Sequence, residues 1–438
     1  MNRSVLAHHL RPGDHVVVGQ ATGEPPGLVG ELFALAAGLG QLNVFCGYSL
    51  NPAWGGPIDA ALQVTTYCGL GSIRHMVGRG AARVIPAQLS QLSSYFESGV
   101  LKADVVMLQV SKADAEGYHS LGCAVDYVWS AAQAARVILV EVNPNVPRTR
   151  SAYRLHCSRV VVARESDLPL PEVPNEEPDA RQLIIGRNVA RLVPDGAIIQ
   201  LGIGSMAVAV ARGLSQHRGL RVRSGMVGNW LPELVASGAI DTTDPEACMA
   251  SLAVGTRSLY DFVGPGSLLG FAAPAQLVAP SGQLVGAPFM AINSAIEVDV
   301  CGQANAEFVG TRYVGAVGGQ SDYFRAARRS PGGLAIIALP SSVGVPSKSR
   351  VVARIAGAYV TAAQSDIDVF VTEYGVADIR ATTLAERRSL ITALAEPQFR
   401  AALNVGEEET SAEIPKARAR RTPENGIAGP LTSHETRV

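Results

Sequence analysis

Charge is scarce in this chain. Of its 438 residues only 17% are Asp, Glu, Lys or Arg, where ~25% is usual. The 37 basic and 38 acidic residues leave a formal charge of −1. No basic surplus exists to neutralise a phosphate backbone, which argues against nucleic acid as the main partner. Cysteine is also sparse: Cys46, Cys68, Cys123, Cys157, Cys248 and Cys301 form no C-x-x-C pair, and no His stands at ligand spacing from them. They read as buried thiols of a cytoplasmic protein, with neither a disulfide frame nor a metal site. The opening MNRSVLAHHLRPGD has no apolar core of a secretory signal. The one long uncharged stretch, Phe262 to Ile296, is broken by Pro265, Pro274, Pro280 and Pro288, so no spanning helix and no membrane association are expected.

Small and apolar residues fill the place of charge. Hydrophobic residues make up 47% of the chain, with 45 glycines and 26 prolines. Glycine plus proline stays below the ~25% that marks low-complexity chains. A globular protein of this length and low charge buries much of its surface, some of it against a second subunit.

Short β-branched runs alternate with helical ones. DHVVV (14–18), DVVMLQV (104–110) and VILVEV (137–142) read as strands, and 28–38 as a helix. Nearly continuous apolar strands separated by helices predict a parallel sheet covered on both faces. Between 164 and 178 the chain turns acidic and proline-rich, which marks an interdomain connection. The alternation then restarts: strands at 197–201, 220–224, 334–339 and 368–372, and a helix at 205–214. The halves open alike, with an apolar strand, a glycine-rich bend and a helix. The prediction is an α/β protein of two open α/β/α domains with mainly parallel sheets and a cleft between them. The domains run 1–175 and 176–405, followed by a disordered tail at 406–438.

Three motifs hold chemistry. Gly202-Ile203-Gly204-Ser205-Met206-Ala207 fits G-x-G-x-x-A, but the next strand ends in Arg223-Ser224 without the acidic residue a dinucleotide site needs. Gly202 and Gly204 therefore read as a tight turn facing the cleft. Gly318-Gly319-Gln320-Ser321-Asp322-Tyr323 is a second bend. It lacks the Lys-Ser/Thr of a nucleotide-triphosphate loop, but its glycines let backbone N–H groups approach a carbonyl. Glu373 follows the strand DVFV, at the mouth of an α/β cleft.

These pieces resemble the acetyl-CoA hydrolase/CoA-transferase family, in the branch of the 4-hydroxybutyrate and butyryl-CoA:acetate CoA-transferases. The likeness runs from about residue 10 to residue 403. It rests on the order of ADAEGYHSLG (113–122), EVNPNVPRT (141–149), DGAIIQLGIG (195–204), LAVGTRSLYDFV (252–263), AINSAIEVDVCGQANAE (291–307), GAVGGQSDYFRAA (315–327) and FVTEYGVADIR (370–380). The resemblance implies a homodimer with a coenzyme A thioester as substrate, a small-molecule acceptor or water, and no tightly bound cofactor. It implies ping-pong chemistry through a glutamyl-CoA thioester. It also implies an oxyanion and CoA loop at Gly318, Gly319, Gln320 and Asp322, and a second active-site carboxylate at Glu373.

The chain departs from that family where the nucleophile belongs. The family segment resembles S-E-M-I-S-D-G; here it reads Ser224-Gly225-Met226-Val227-Gly228-Asn229-Trp230, with Gly225 in the glutamate's place. Ala272-Ala273-Pro274 replaces the family's Asn-Asp-Pro. Asp114-Ala115-Glu116-Gly117-Tyr118-His119 moves a histidine past the glycine, which makes His119 a candidate general base beside Glu373. The expectation is an acyl-CoA-utilising enzyme that hydrolyses or directly transfers the acyl group without a glutamyl intermediate. The alternatives are a conventional hydrolase or transferase using a displaced carboxylate, and a non-catalytic acyl-CoA binder.

Overall fold

The computed structural model describes residues 4–278, 286–357 and 359–404. Most strands gather into two sheets. The first contains β1 (His15–Val18), β2 (Leu42–Cys46), β3 (Leu62–Thr66), β4 (Ala82–Val84), β5 (Val105–Val110), β6 (Val137–Val142) and β7 (Val161–Glu165), in the order β7-β6-β5-β1-β2-β3-β4 and parallel throughout. The second contains β8 (Ile198–Gln200), β9 (Arg221–Val227), β10 (Cys248–Ala253), β11 (Leu269–Phe271), β12 (Phe289–Asn293), β13 (Leu334–Ala338), β14 (Val369–Thr372) and β15 (Gly375–Asp378). Its order is β15-β14-β13-β12-β8-β9-β10-β11, parallel except for the hairpin β14–β15. The fold is thus mixed α/β with mainly parallel sheets. All six residues of β5 and all five of β13 are buried, as strands covered on both faces must be.

The two openings do fold alike. β1 lies between β2 and β5 and leads through a bend into helix α1 (Pro26–Leu39); β8 lies between β9 and β12 and leads into a second helix, Ser205–Gly213. The strand expected at 220–224 runs on to Val227, through Gly225. Parallel pairing of Met226 with Leu252 and Val227 with Ala253 extends it, overriding the weak strand preference of glycine.

The halves are fastened together along the carboxyl ends of their strands. Arg150–Ser151 leaves the first half and adds an edge to β11 of the second sheet. Val125 donates its N–H to the Ser251 carbonyl at 2.8 Å, and Ala253 donates to Cys123 at 2.9 Å. The acidic, proline-rich connection is itself held down, with Val173 N–H on the Gly255 carbonyl and the Tyr260 hydroxyl on that of Pro171. Cys46, Cys68, Cys123 and Cys248 are buried as expected, but Cys157 is exposed and Cys301 half-buried. Cys157 opens a short 3-10 helix and Cys301 sits in a turn, both outside the two sheets. Pro280 and the expected tail at 406–438 lie outside the described residues. Among the described residues, no helix is long and apolar enough to cross a membrane.

Candidate active site

The bend at Gly318-Gly319 opens a helix of the second half, Gln320–Arg329. Gly318 has φ +56°, which side-chain-bearing residues rarely adopt. A β-carbon on Gly319 would come within 2.9 Å of the Tyr323 ring, so no larger residue fits. The Gly318 carbonyl accepts the Leu89 N–H at 2.9 Å, tying the bend to helix α2 (Leu89–Glu97) of the first half. Asp322 completes the tie by accepting from Ser90, at 3.1 Å from the backbone N–H and 2.7 Å from Oγ. Burial pushes its carboxyl above the ordinary range, against the pull of those two bonds. Gln320 donates to the Ser294 carbonyl at 3.1 Å. Gln320 therefore ties the bend to its own half, and Asp322 ties it to the first.

Gly225 lies against this bend. A β-carbon there would stand 3.4 Å from the Tyr323 oxygen and 3.5 Å from Leu89 Cδ2, both ordinary contacts. Its backbone is not left-handed, so neither strain nor crowding demands glycine. Tyr323 is only 3% exposed, and its hydroxyl has no hydrogen-bond partner among the described residues. Burial pushes the phenol pKa up, so the group stays a neutral donor. The structure thus gathers Gly225, Gly318, Gly319 and Tyr323 around Leu89. Sequence reading missed Leu89 and Ser90, which come from a distant part of the chain, and gave Tyr323 no role beyond its place in the bend.

The turn at Gly202 and Gly204 is closed on one side. Gly204 has φ +90°, and the indole N–H of Trp230, itself 1% exposed, donates to the Gly202 carbonyl at 2.8 Å. Asn229 Oδ1 accepts the Thr256 N–H at 2.9 Å. The Asn-Trp pair after β9 therefore stitches neighbouring loops together and lines this side with an apolar ring.

Residues 1–162 match the acetyl-CoA hydrolase/transferase N-terminal domain, and residues 255–406 the C-terminal domain. The 4-hydroxybutyrate coenzyme A transferase of Clostridium kluyveri is 35% identical over 76% of this chain and 79% of its own. The chain belongs to the acetyl-CoA hydrolase/transferase family. Among solved structures, RipA from Yersinia pestis superposes with a TM-score of 0.84 at 25% identity, over 93% of this chain and 96% of RipA. The 4-hydroxybutyrate CoA-transferase of Porphyromonas gingivalis does so at 0.74 and 29% identity, over 93% and 95%. This family member is an acyl-CoA hydrolase/transferase-like enzyme, and a CoA thioester substrate is consistent with that membership. Residues 163–254, with Gly225 among them, fall outside both matched ranges.

Two candidate groups of this acetyl-CoA hydrolase/transferase family member lie elsewhere. Glu373 follows β14 and accepts from Ser341 twice, at 2.9 Å from N–H and 2.9 Å from Oγ. β14 is four strand positions from β9, or about 19 Å at the usual inter-strand spacing. His119 is 4% exposed, with Nδ1 2.7 Å from the Ser111 carbonyl. It lines a cavity of about 620 Å³ with Val142 and Val162 of β6 and β7. The bend instead meets Cys68 and Gln88, beyond β3 and β4 on the other side of that sheet. The structure brings neither group to Gly225.

Proposed function

We propose that this protein acts on an acyl-CoA thioester without a glutamyl-CoA intermediate, by hydrolysis or by direct transfer to a bound acceptor. One observation carries the reading: the place of the family's nucleophile, Gly225, holds no carboxylate, and the Tyr323 hydroxyl, unpaired among the described residues, faces it. The Gly319 N–H forms no hydrogen bond among the described residues, which leaves it free as an oxyanion donor beside the phenol. In hydrolysis, water adds to the thioester carbonyl, and the oxygen takes up negative charge beside these donors. The C–S bond then breaks, and the proton lost by water goes to the departing thiolate. The absence of charge at Gly225 leaves room for a neutral group.

Glu373 already receives two hydrogen bonds from Ser341, which supports a positioning role for it rather than nucleophilic attack. The test is to incubate the protein with acyl-CoA and then with hydroxylamine or borohydride. Thioester consumption with no trapped protein–CoA species is expected; a trapped species would overturn the proposal.

A further inference from the structure

The cavity beside His119 has a chemistry of its own. Its volume is about 620 Å³, within the ~300–1,000 Å³ usual for small-molecule sites. It opens at the carboxyl ends of three adjacent parallel strands: Lys112 stands two residues beyond β5, Val142 ends β6 and Glu165 ends β7. Ligands of open α/β sheets bind at this end of the strands.

Two polar side chains face it with bonds unmade. The loop after β5 folds back on itself, with the Ser111 N–H on the Ser120 carbonyl at 3.1 Å and the Ser120 N–H on Ser111 Oγ at 2.9 Å. This sets His119 Nδ1 2.7 Å from the Ser111 carbonyl. A carbonyl only accepts, so Nδ1 holds a proton and Nε2 is the acceptor of the neutral ring. Nε2 has no partner among the described residues and is not sealed off, although His119 is only 4% exposed. Ser166 lines the same cavity, and its Oγ is buried with no partner among the described residues. A polar ligand would satisfy such groups, which are costly to leave unbonded.

Charges of both signs line the same space. Lys112 comes from one strand end, Glu165 and Asp167 from another, and none of the three forms an ion pair among the described residues. The cavity therefore holds opposite charges apart, and an occupant with both signs would answer both. Val142 and Val162 add apolar surface between them.

We propose that this cavity binds a free α-amino acid with an apolar side chain. Lys112 meets its carboxylate. Glu165, Asp167 and His119 Nε2 accept from its ammonium group, and the two valines meet its side chain. The site is separate from the acyl-CoA reading, because the bend at Gly318 meets the opposite side of the first sheet.

The test is calorimetric titration of the full chain with L-leucine, leucine amide, which lacks the carboxylate, and N-acetylleucine, which lacks the ammonium group. The variants are Lys112→Gln, Glu165→Gln and His119→Asn, the last keeping a donor for the Ser111 carbonyl while losing Nε2. Lys112 and Glu165 are exposed, and unchanged melting would confirm that their variants fold. Leucine should bind the natural protein more tightly than either analogue. Its affinity should fall about fivefold in Lys112→Gln and in Glu165→Gln, the scale of one accessible ion pair. Leucine amide should be indifferent to Lys112→Gln, and N-acetylleucine to Glu165→Gln. A fall in leucine affinity in folded His119→Asn would place Nε2 in the site. Leucine binding that is absent at millimolar concentration, or equal in the natural protein and all three variants, would overturn the proposal. So would leucine amide binding as tightly as leucine.

Discussion

A β-carbon placed on Gly225 would stand 3.4 Å from the phenolic oxygen of Tyr323. The two residues are 98 positions apart in the chain. β9 and the helix Gln320–Arg329 bring them together, and the hydroxyl has no hydrogen-bond partner among the described residues. A buried donor without an acceptor costs free energy, which is reason to expect that it has an acceptor during turnover.

Gly225→Glu should restore covalent chemistry. The first side-chain atom fits at ordinary contact distance, and the carboxylate would have the Tyr323 hydroxyl beside it. Incubation with acyl-CoA should yield an adduct at residue 225, detectable by mass spectrometry and absent from the natural protein. A folded variant that forms none would count against the assignment of this position.

Tyr323→Phe removes one donor and little else. Turnover of acyl-CoA should fall by about a hundredfold, the scale of losing one oxyanion donor. Stability should hold or rise by up to ~1 kcal/mol, because no hydrogen bond is lost. Unchanged turnover would remove the phenol from the reaction.

Glu373→Gln should act on stability more than on rate. Ser341 would lose a charged acceptor for both its N–H and its Oγ, at a cost of about 1–3 kcal/mol. Denaturation midpoints should drop while kcat stays within about tenfold. A loss of activity in the thousands with intact stability would return Glu373 to the chemistry.

Glu24 predicts a pH effect. Its carboxyl is buried where the first half's strands end, and accepts from Ser49 Oγ at 2.5 Å and the Trp54 indole N–H at 2.8 Å. Burial raises its pKa from 4.5 to about 7, against the pull of those bonds. Between those values the unfolded chain has released the proton and the folded one keeps it, so stability falls as pH rises. The shift corresponds to a loss on the order of 3 kcal/mol from pH 4.5 to 7. Asp126, raised from 3.8 to about 6, adds a loss of the same sign at lower pH. Urea unfolding of Glu24→Gln at several pH values should show a flatter profile between pH 4.5 and 7. An unaltered slope would refute the burial argument.

The order of elements was legible because strands such as VVMLQV and LAIIA, buried on both faces, must be apolar along nearly their whole length. The glycine bends were legible too. Gly204 and Gly318 take backbone angles that other residues resist, so chain geometry alone requires them. Gly225 is different: its conformation is ordinary, and only its place in a family string gave it meaning.

The sequence by itself determined an α/β protein of two similar halves and the family string order. The tertiary structure decided which of the named residues meet. Strand order separates Glu373 from Gly225 by four positions and places His119 on the far side of the first sheet. The same packing brings Leu89 and Ser90 onto the bend at Gly318. These are pairings between distant segments, fixed by which strands lie side by side and which loops meet across the halves. Local pattern contains no record of either, because periodicity reports which face of an element is buried and not what covers it.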